Sequence, residues 1–591
     1  MSRHSIQLAG LTARRWQQRR GVIVILSAFL LTVMFAFLAL SVDTGRVVLT
    51  ETEMQNAVDA ASLAASQEIQ AAVYEAGQGV GSATIDANSI AVAAAREMAE
   101  QVAEANGVYI DPAIDVEFGK RIYNPTSGEW SVQWGGTPYN VVRVTARRNG
   151  DDLEAPDGEY PLAFGWAINK DSVPLEASAT AFTEARDLVL VLDWSGSMNY
   201  DSWLTSSLGL SAAEEQLDAM WDALQAADPK WPGTTTSKFP STGFGSINSY
   251  YGTYVSSTTT STVLSTLGLN QSNADGSRTY PYPQAGRESS GLPKSKPSNS
   301  TSDSLWGKYI DYVKNHPKTE YRKRYGYRTL MDFLLQKALS SGITPRSRYT
   351  SEDLWRTPHQ PMEANKQGTS LFLSFLEDLD FGDEVGLVGY GKWAEIVDTF
   401  NDGEASVDIS SNPITSDYAS IDLMQLHHQA GEFDGQTAMG DGILKARQML
   451  VGTGGDDEGF SRYGARPTMV LMTDGQTNEK PSTWSLPTGF NWAEWTDYDG
   501  DGAANFSTSD TKKQYAFWEA TEAVKRGITI HTIAVGAEAD RNLMRAIAFA
   551  GGGVFVDVPV HTSIEEVEEQ LLAAFSQIAA KVPPAQLLYE D

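Results

Sequence analysis

Cysteine is absent from this chain. That excludes disulfides, thiolate zinc sites, iron–sulfur ligation and cysteine nucleophiles, and leaves the redox compartment open. Positive charge is scarce: 45 Lys and Arg stand against 75 Asp and Glu, a formal net charge of −30. So acidic a chain is unsuited to general nucleic-acid binding, whose affinity comes from cations that displace phosphate counterions. Histidine is sparse too, and no metal is assigned to the pair His427-His428. The chain also lacks HExxH, GxxxxGK[ST] and an evident nucleophile–base pair, so binding without catalysis is expected. What it does have is core-forming material. Its 591 residues are 41% apolar and 20% charged, enough for several folding units and a sizeable core.

Residues 21–42, GVIVILSAFLLTVMFAFLALSV, carry no charge and are closed by Asp43. As a helix they span roughly 30 Å, the hydrocarbon thickness of a bilayer. A signal peptide's apolar stretch is shorter, about 7–15 residues, so a retained transmembrane helix is expected. Arg3, Arg14, Arg15, Arg19 and Arg20 precede it and only Arg46 closely follows. This asymmetry makes residues 1–20 a cytoplasmic basic tail and places the bulk of the chain extracytoplasmic, in a periplasm or at the cell surface. Residues 43–105 read as an Ala-rich helical stalk with a break at 77–82; Val47, Thr50, Met54, Val58, Ala61 and Ala65 form an apolar stripe at spacings of three and four. Residues 106–186 change to short runs of β-formers, VEFGKRIYN, EWSVQW, NVVRVTARR and the stretch around PLEASATAFTEA, divided by turn signals. They are expected to form a small β-rich membrane-proximal module.

From residue 187 to 581 the rhythm is different. Apolar runs at 187–193, 382–391, 466–475, 527–536 and 552–558 suit strands buried on both faces, and helical patterns at 365–379, 440–451, 516–527 and 563–580 lie between them. This alternation predicts a Rossmann-like, doubly wound α/β domain. Polar stretches at about 229–360 and 476–512 interrupt it and read as surface insertions; residues 582–591 read as a tail. WDALQAADPKW at 221–231 is read as core packing. Within the long insertion, Lys308, Lys314, Lys318, Arg322, Lys323, Arg324 and Arg328 outnumber Asp311 and Glu320, read as the solvated face of an insertion helix rather than a dock for an acidic partner.

The first buried strand ends in Asp193-Trp194-Ser195-Gly196-Ser197. Sites in open parallel sheets form at the carboxyl ends of strands, and an acid and two hydroxyls at i, i+2 and i+4 there present three hard oxygens. Mg²⁺ favours about six such ligands near 2.1 Å and keeps several waters. Thr437, before a helix, and Asp474, closing another strand, can add a hydroxyl and a second carboxylate. Two carboxylates and three hydroxyls leave a divalent cation a position for an outside ligand, for which a partner's Asp or Glu carboxylate is the natural group. Mg²⁺ fits best, with Mn²⁺ or Ca²⁺ as alternatives. Separately, Asp497, Asp499, Asp501 and Gly502 match the first half of a calcium loop, but position 12 holds Thr508 instead of a bidentate Glu. Weak calcium binding there stands beside an acidic solvated turn.

Two resemblances sharpen these readings. Residues 13–70 resemble TadE/TadG-like Flp-pilus assembly proteins through Arg19-Arg20-Gly21, Val42-Asp43-Thr44-Gly45-Arg46 and Ala57-Val58-Asp59-Ala60-Ala61-Ser62-Leu63-Ala64-Ala65. Processed pilin-like members carry a Glu soon after the cleavage Gly. Here Gly21 is followed by Val22-Ile23-Val24-Ile25-Leu26, which favours an anchored assembly factor over a shed subunit. DxSxS, then Thr, then TDG resembles the metal-ion-dependent adhesion site (MIDAS) of von Willebrand factor A (VWA) domains; LEDLDFGDEVGLVGYG and HTIAVG are similar to flanking stretches of that family. By that resemblance Asp193, Ser195, Ser197, Thr437 and Asp474 hold the metal, directly or through water. Trp194 departs from the small or β-branched residue usual there and is read as covering the loop. The function implied is a TadG-like factor of a Flp/Tad pilus or surface assembly that grips an acidic protein partner. The alternative is a surface adhesin unconnected with pili.

Overall fold

The computed structural model describes residues 20–78, 87–206, 208–227, 252–282, 298–337, 354–401, 405–433, 435–454, 458–558, 564–579, 581, 583 and 585–588. The basic tail at 1–19, most of the expected break at 77–82 and parts of the long insertion lie outside them.

Helix α1, Arg20–Gln78, runs unbroken for 59 residues, roughly 88 Å at 1.5 Å per residue. No proline interrupts it, so the apolar run and the segment after it share one helix. Its first half is apolar and exposed, with Ile23, Ile25, Phe29, Met34 and Phe37 each more than 60% accessible. Among the described residues it is the one helix long and apolar enough to cross a membrane.

Its second half is not a free stalk. Met54, Val58, Ala61, Ala65 and Ile69 are buried in one cluster with Ala91, Ala95, Ala99 and Ala103 of α2, Ala87–Ala105. The four α2 alanines recur every fourth residue and so share one face. Small side chains let the helices approach closely, and together they cover a sheet through Phe118, Val142, Val144, Ala177 and Ala179. That sheet contains β1 (Val116–Asn124), β2 (Glu129–Trp134), β3 (Val141–Arg148) and β4 (Leu175–Phe182), all antiparallel to their neighbours.

The doubly wound domain follows. Its central strand is β5 (Arg186–Asp193), with α3 (Met362–Leu379), β6 (Glu384–Tyr390), β7 (Ala394–Ile396), α4 (Met439–Val451), β8 (Arg466–Thr473), α5 (Thr511–Val524), β9 (Thr529–Val535), α6 (Arg541–Ala550), β10 (Gly552–Val558) and α7 (Ile564–Ala579) after it. The sheet order is β7-β6-β5-β8-β9-β10, parallel except for the antiparallel edge β7. All eight residues of β5 are buried, and their alternation explains the two layers. Leu188, Leu190 and Leu192 pack with Phe372, Leu571 and Phe575 on one face; Val189 and Val191 pack with Ile443, Met449 and Phe517 on the other. Each such side chain contributes about 1.5–3 kcal/mol of transfer free energy.

The chain then returns. Residues 586–588, expected within a tail, form β11, whose Gln586, Leu587 and Leu588 pair antiparallel with Phe182, Ala181 and Thr180. The order of the antiparallel sheet is therefore β11-β4-β3-β1-β2, and the doubly wound domain is an insertion between two neighbouring strands of it. Three residues carry no readable alternation, which hides this strand in the sequence.

The polar insertions also differ from expectation. The long one, with the helix Leu210–Ala227, builds a third core in which Trp221, Tyr282, Trp306, Tyr309, Tyr321 and Tyr325 are buried. Arg328, read as solvated, pairs with Asp218 at 2.7 Å against that core. From the shorter one, Phe490, Trp492 and Phe506 pack on Phe517 of α5. Sparse aromatics without a period do not announce a core in a Ser/Thr/Gly-rich stretch.

Two arginines reach across between the units: Arg121 Nη1 donates to Gly464 O at 3.3 Å, and Arg462 lies over the rings of Tyr123 and Trp130 at 5.4 and 5.3 Å. Within the doubly wound domain, Asp187 accepts from Arg462 Nε at 2.8 Å, and Asp383 accepts from Arg186 Nε and Nη2 at 3.0 and 2.5 Å. Trp130 Nε1 donates to Tyr463 O at 2.9 Å and Asn140 Nδ2 to Phe381 O at 3.2 Å. Arg121 lies over the rings of Trp130 and Phe182, and burial lowers its pKa to about 10. All these contacts gather at the amino ends of the parallel strands. The carboxyl ends consequently face away from the module.

Candidate metal centre

Strands β5 and β8 are adjacent and parallel, with Leu471 beside Val191, so both chains exit side by side. Thr473 Oγ1 donates to Asp193 Oδ2 at 2.7 Å, and the Ser195 N–H donates to Asp193 Oδ1 at 2.8 Å, fixing that carboxylate in the turn. The Ser195 and Ser197 hydroxyls are 3.0 Å apart, and Ser197 Oγ donates to Asp474 Oδ1 at 2.6 Å. Four expected ligands thus form one connected row of oxygens.

Thr437 joins them from a third loop. A Cβ placed on Gly475 would lie 3.4 Å from Ser197 Oγ and 4.0 Å from Thr437 Oγ1, so both hydroxyls flank one point. The Thr437 N–H donates to Asn478 Oδ1 at 2.8 Å; its carbonyl accepts from Thr477 Oγ1 at 3.1 Å and from the Asn478 N–H at 3.0 Å. The next residue, Ala438, donates its N–H to Gly391 O at 2.6 Å. Thr437 is therefore clamped between the exits of β6 and β8. Sequence reasoning missed Thr473, Thr477 and Asn478. The signal was present in the polar run Thr473-Asp474-Gly475-Gln476-Thr477-Asn478, of which only Asp474 had been singled out.

Asp193 and Ser195 are fully buried, Thr437 and Asp474 nearly so. Burial raises the pKa of the Asp193 carboxyl, against hydrogen bonds from Thr473 and Ser195. Burial, with the charges of Asp193 and Asp201, pushes Asp474 well above the carboxylate range, and Ser197 only partly opposes it. Two buried carboxylates repelling one another are what a cation relieves. The donors are all hard oxygens, and their 2.6–3.0 Å spacings approach the edge of a six-ligand shell at 2.1 Å, about 3 Å. The residues fit a small divalent cation.

The row opens on a cavity of about 300 Å³ lined by Ser197, Asp474, Tyr200, Asp201, Trp203 and Glu538, among others. Tyr200 and Trp203 pack ring to ring at 4.2 Å on its wall. Trp194 does not cover the loop. It lies beneath it, fully buried, stacked on His428 at 3.9 Å and pressed against Gly389, where a Cβ would come within 2.0 Å of its ring. His427 stacks on Trp355 at 4.0 Å. Both histidines are packed against aromatic rings, and His428 Nδ1 also lies 3.8 Å from the Glu432 carboxylate, a partner four residues on that the sequence reading overlooked.

In the acidic turn, ligand atoms of Asp497, Asp499 and Asp501 lie within 4.8 Å of one another. Asp497 accepts the N–H groups of Gly500, Asp501 and Gly502 at 2.8, 3.1 and 2.9 Å, which draws the turn around its carboxylate. Thr508 accepts from the Asp510 N–H at the start of α5.

Residues 21–73 match the TadE/G-like Flp pilus-assembly family model. No curated protein matches the chain. Among solved structures, the chain is similar to a von Willebrand factor type A protein from Catenulispora acidiphila, at 18% identity over 37% of this chain and 38% of that one, TM-score 0.23. The pilus adhesin SpaC from Lactobacillus rhamnosus GG gives 17% over 37% and 28%, TM-score 0.24. The vWF domain of the type V pili tip protein Mfa5 from Porphyromonas gingivalis gives 15% over 37% and 85%, TM-score 0.22. The chain thus spans well under half the length of the first two. The VWA fold of residues 186–579 rests on its own strand order and strand-end loops.

Proposed function

We propose that this chain is a membrane-anchored, extracytoplasmic binding protein of a Flp/Tad pilus or related surface assembly that grips an acidic protein partner through a divalent cation. The single observation that carries the reading is the oxygen row Asp193–Ser195–Ser197–Asp474 at the mouth of a cavity, on the side of the domain turned from the module. Asp193, Ser195, Ser197, Thr437 and Asp474 would hold the ion, Mg²⁺ in first place and Mn²⁺ or Ca²⁺ otherwise. When bound, it supplies an electrophilic position that a partner's Asp or Glu carboxylate completes. The chain's own part is rigid presentation: Thr473 and the Ser195 amide orient Asp193, and Asn478 and Thr477 hold Thr437. Nothing in this arrangement requires turnover, and a binding role without catalysis follows.

The family match at residues 21–73 supports the pilus setting, and the arginine asymmetry around α1 supports N-in, C-out topology. Capture of envelope proteins by the full chain, with Mg²⁺ against EDTA, tests the reading. A partner retained only with metal and lost in Asp474→Ala is expected. Equal retention in EDTA would refute it. Loss of piliation on deletion separates a pilus factor from an unrelated adhesin.

A further inference from the structure

We propose that the loop carrying the short turn Gly165–Ile168 is a second membrane contact, seating Phe164 and Trp166 in the interfacial layer of the bilayer that α1 crosses. The inference rests on reading α1 as a membrane span. Asp43 is the first charge after the apolar run, so it marks where hydrocarbon gives way to headgroups. Its carboxylate accepts the N–H of Ala163 at Oδ1 and of Phe164 at Oδ2, each at 2.9 Å. Two backbone bonds to one carboxylate pin the loop to the helix at that height. They also bury Asp43, which is 7% exposed, and so ease the placement of a charge at the edge of the apolar layer.

The side chains on the pinned loop do the opposite. Trp166 is 73% exposed and Phe164 38%. A soluble surface gains nothing from a tryptophan so bare, whereas Trp is enriched where bilayers meet water, its ring apolar and its N–H in reach of headgroups. One turn further along α1, Arg46 lies over the Tyr160 ring at 5.5 Å, with Arg148 over the same ring at 5.3 Å. Val48 and Leu49 of α1 remain 54% and 58% exposed. They lie roughly 8–9 Å beyond Asp43, a little more than the headgroup layer of about 5–8 Å on each face. The aromatic loop is therefore held at the level of Asp43, where the uncharged apolar run ends. A body resting on one helix can swing; one resting on a helix and a loop has a fixed tilt. This second contact holds the metal-bearing end of the VWA domain away from the membrane.

The absence of cysteine makes the test direct. Lys170→Cys, exposed beside the turn, is labelled with an environment-sensitive dye in the full chain reconstituted into phosphatidylcholine vesicles containing a spin-labelled lipid. Tyr463→Cys, on the VWA domain and 92% exposed, and Leu30→Cys, within the span, serve as references. Expected are a blue shift and quenching at 170, none at 463, and loss of both effects at 170 in Phe164→Ser/Trp166→Ser. If 30 is quenched while 170 behaves like 463, the loop contact is wrong and the span stands. An unquenched label at 30 would remove the span, and the loop contact with it. Quenching at 170 that survives the double substitution would contradict the role of the two aromatics.

Discussion

The two sheets of this protein solve the same problem by opposite means. The smaller sheet is antiparallel, covered by α1 and α2, and its core is largely alanine and valine. The VWA sheet is almost wholly parallel, covered on both faces, and filled with Leu, Val, Met and Phe. Small residues give close approach with little apolar area apiece, so the first unit depends on geometry: a long helix, a returning helix and a strand contributed by the far end of the chain. Large residues give area, so the second unit can spend its loop positions on buried oxygens that destabilise it without an ion. The packed helices and the buried oxygens are thereby kept in different cores, joined at the strand ends opposite the oxygen row.

The sharpest way to break this division is at the oxygens. Asp193→Ala should abolish metal-dependent partner capture while leaving helix content unchanged; retained capture would show that the VWA loops are not the grip. Next in size is Gly389→Ala, whose methyl collides with Trp194. Overpacking of this kind costs about 1–3 kcal/mol, read as a lower urea midpoint of the VWA unit. The module should be unaffected.

A stop after Ala585 removes β11 and tests the other core. Hydrogen-exchange protection should fall at Thr180–Phe182 and persist across β5, with metal binding intact. Unchanged protection would mean that the C-terminal strand does not pair.

The smallest effect lies at the junction. Burial, opposed by Arg462 and aided by Asp187, pushes the Glu384 carboxyl up to about 7 from 4.5. A raised folded-state pKa gives a contribution that is complete below the unfolded value and is lost as pH rises through the folded one. Wild type should therefore lose stability between about pH 4.5 and 7 relative to Glu384→Gln, seen as a Tm difference that grows with pH and then levels. Parallel Tm curves would exclude Glu384 as its source.

How much of this was legible in the sequence follows the same contrast. Strands β5, β6, β8 and β9 are buried on both faces, so their composition alone announces them, and the Asp193 and Asp474 loops follow as strand ends. Strand β10, expected to be buried likewise, is the half-exposed edge of the sheet, where only Val558 is buried. Strands β1 to β4 were readable from turn signals and β-formers. What escaped is what only tertiary structure creates. The α1–α2 seam looks like a stalk because alanine stripes do not reveal their partner. Strand β11 is too short for a period, and its partner β4 lies some four hundred residues earlier. Of the insertion core only Trp221 was legible, in the stretch read as packing; Tyr282 and Trp306 lie scattered far along the chain from it. At the site, the clamp made by Thr477 and Asn478 was invisible because nothing in a linear reading places residue 437 beside 478.

Manganese titration of the full chain, followed by electron paramagnetic resonance, asks the central question most directly. One tight site should appear in wild type and in Asp497→Ala, and should vanish in Asp193→Ala and Asp474→Ala. A tight site that survives both of the latter, or is lost in Asp497→Ala alone, would place the ion in the acidic turn and contradict a cation held by the converging strand-end loops.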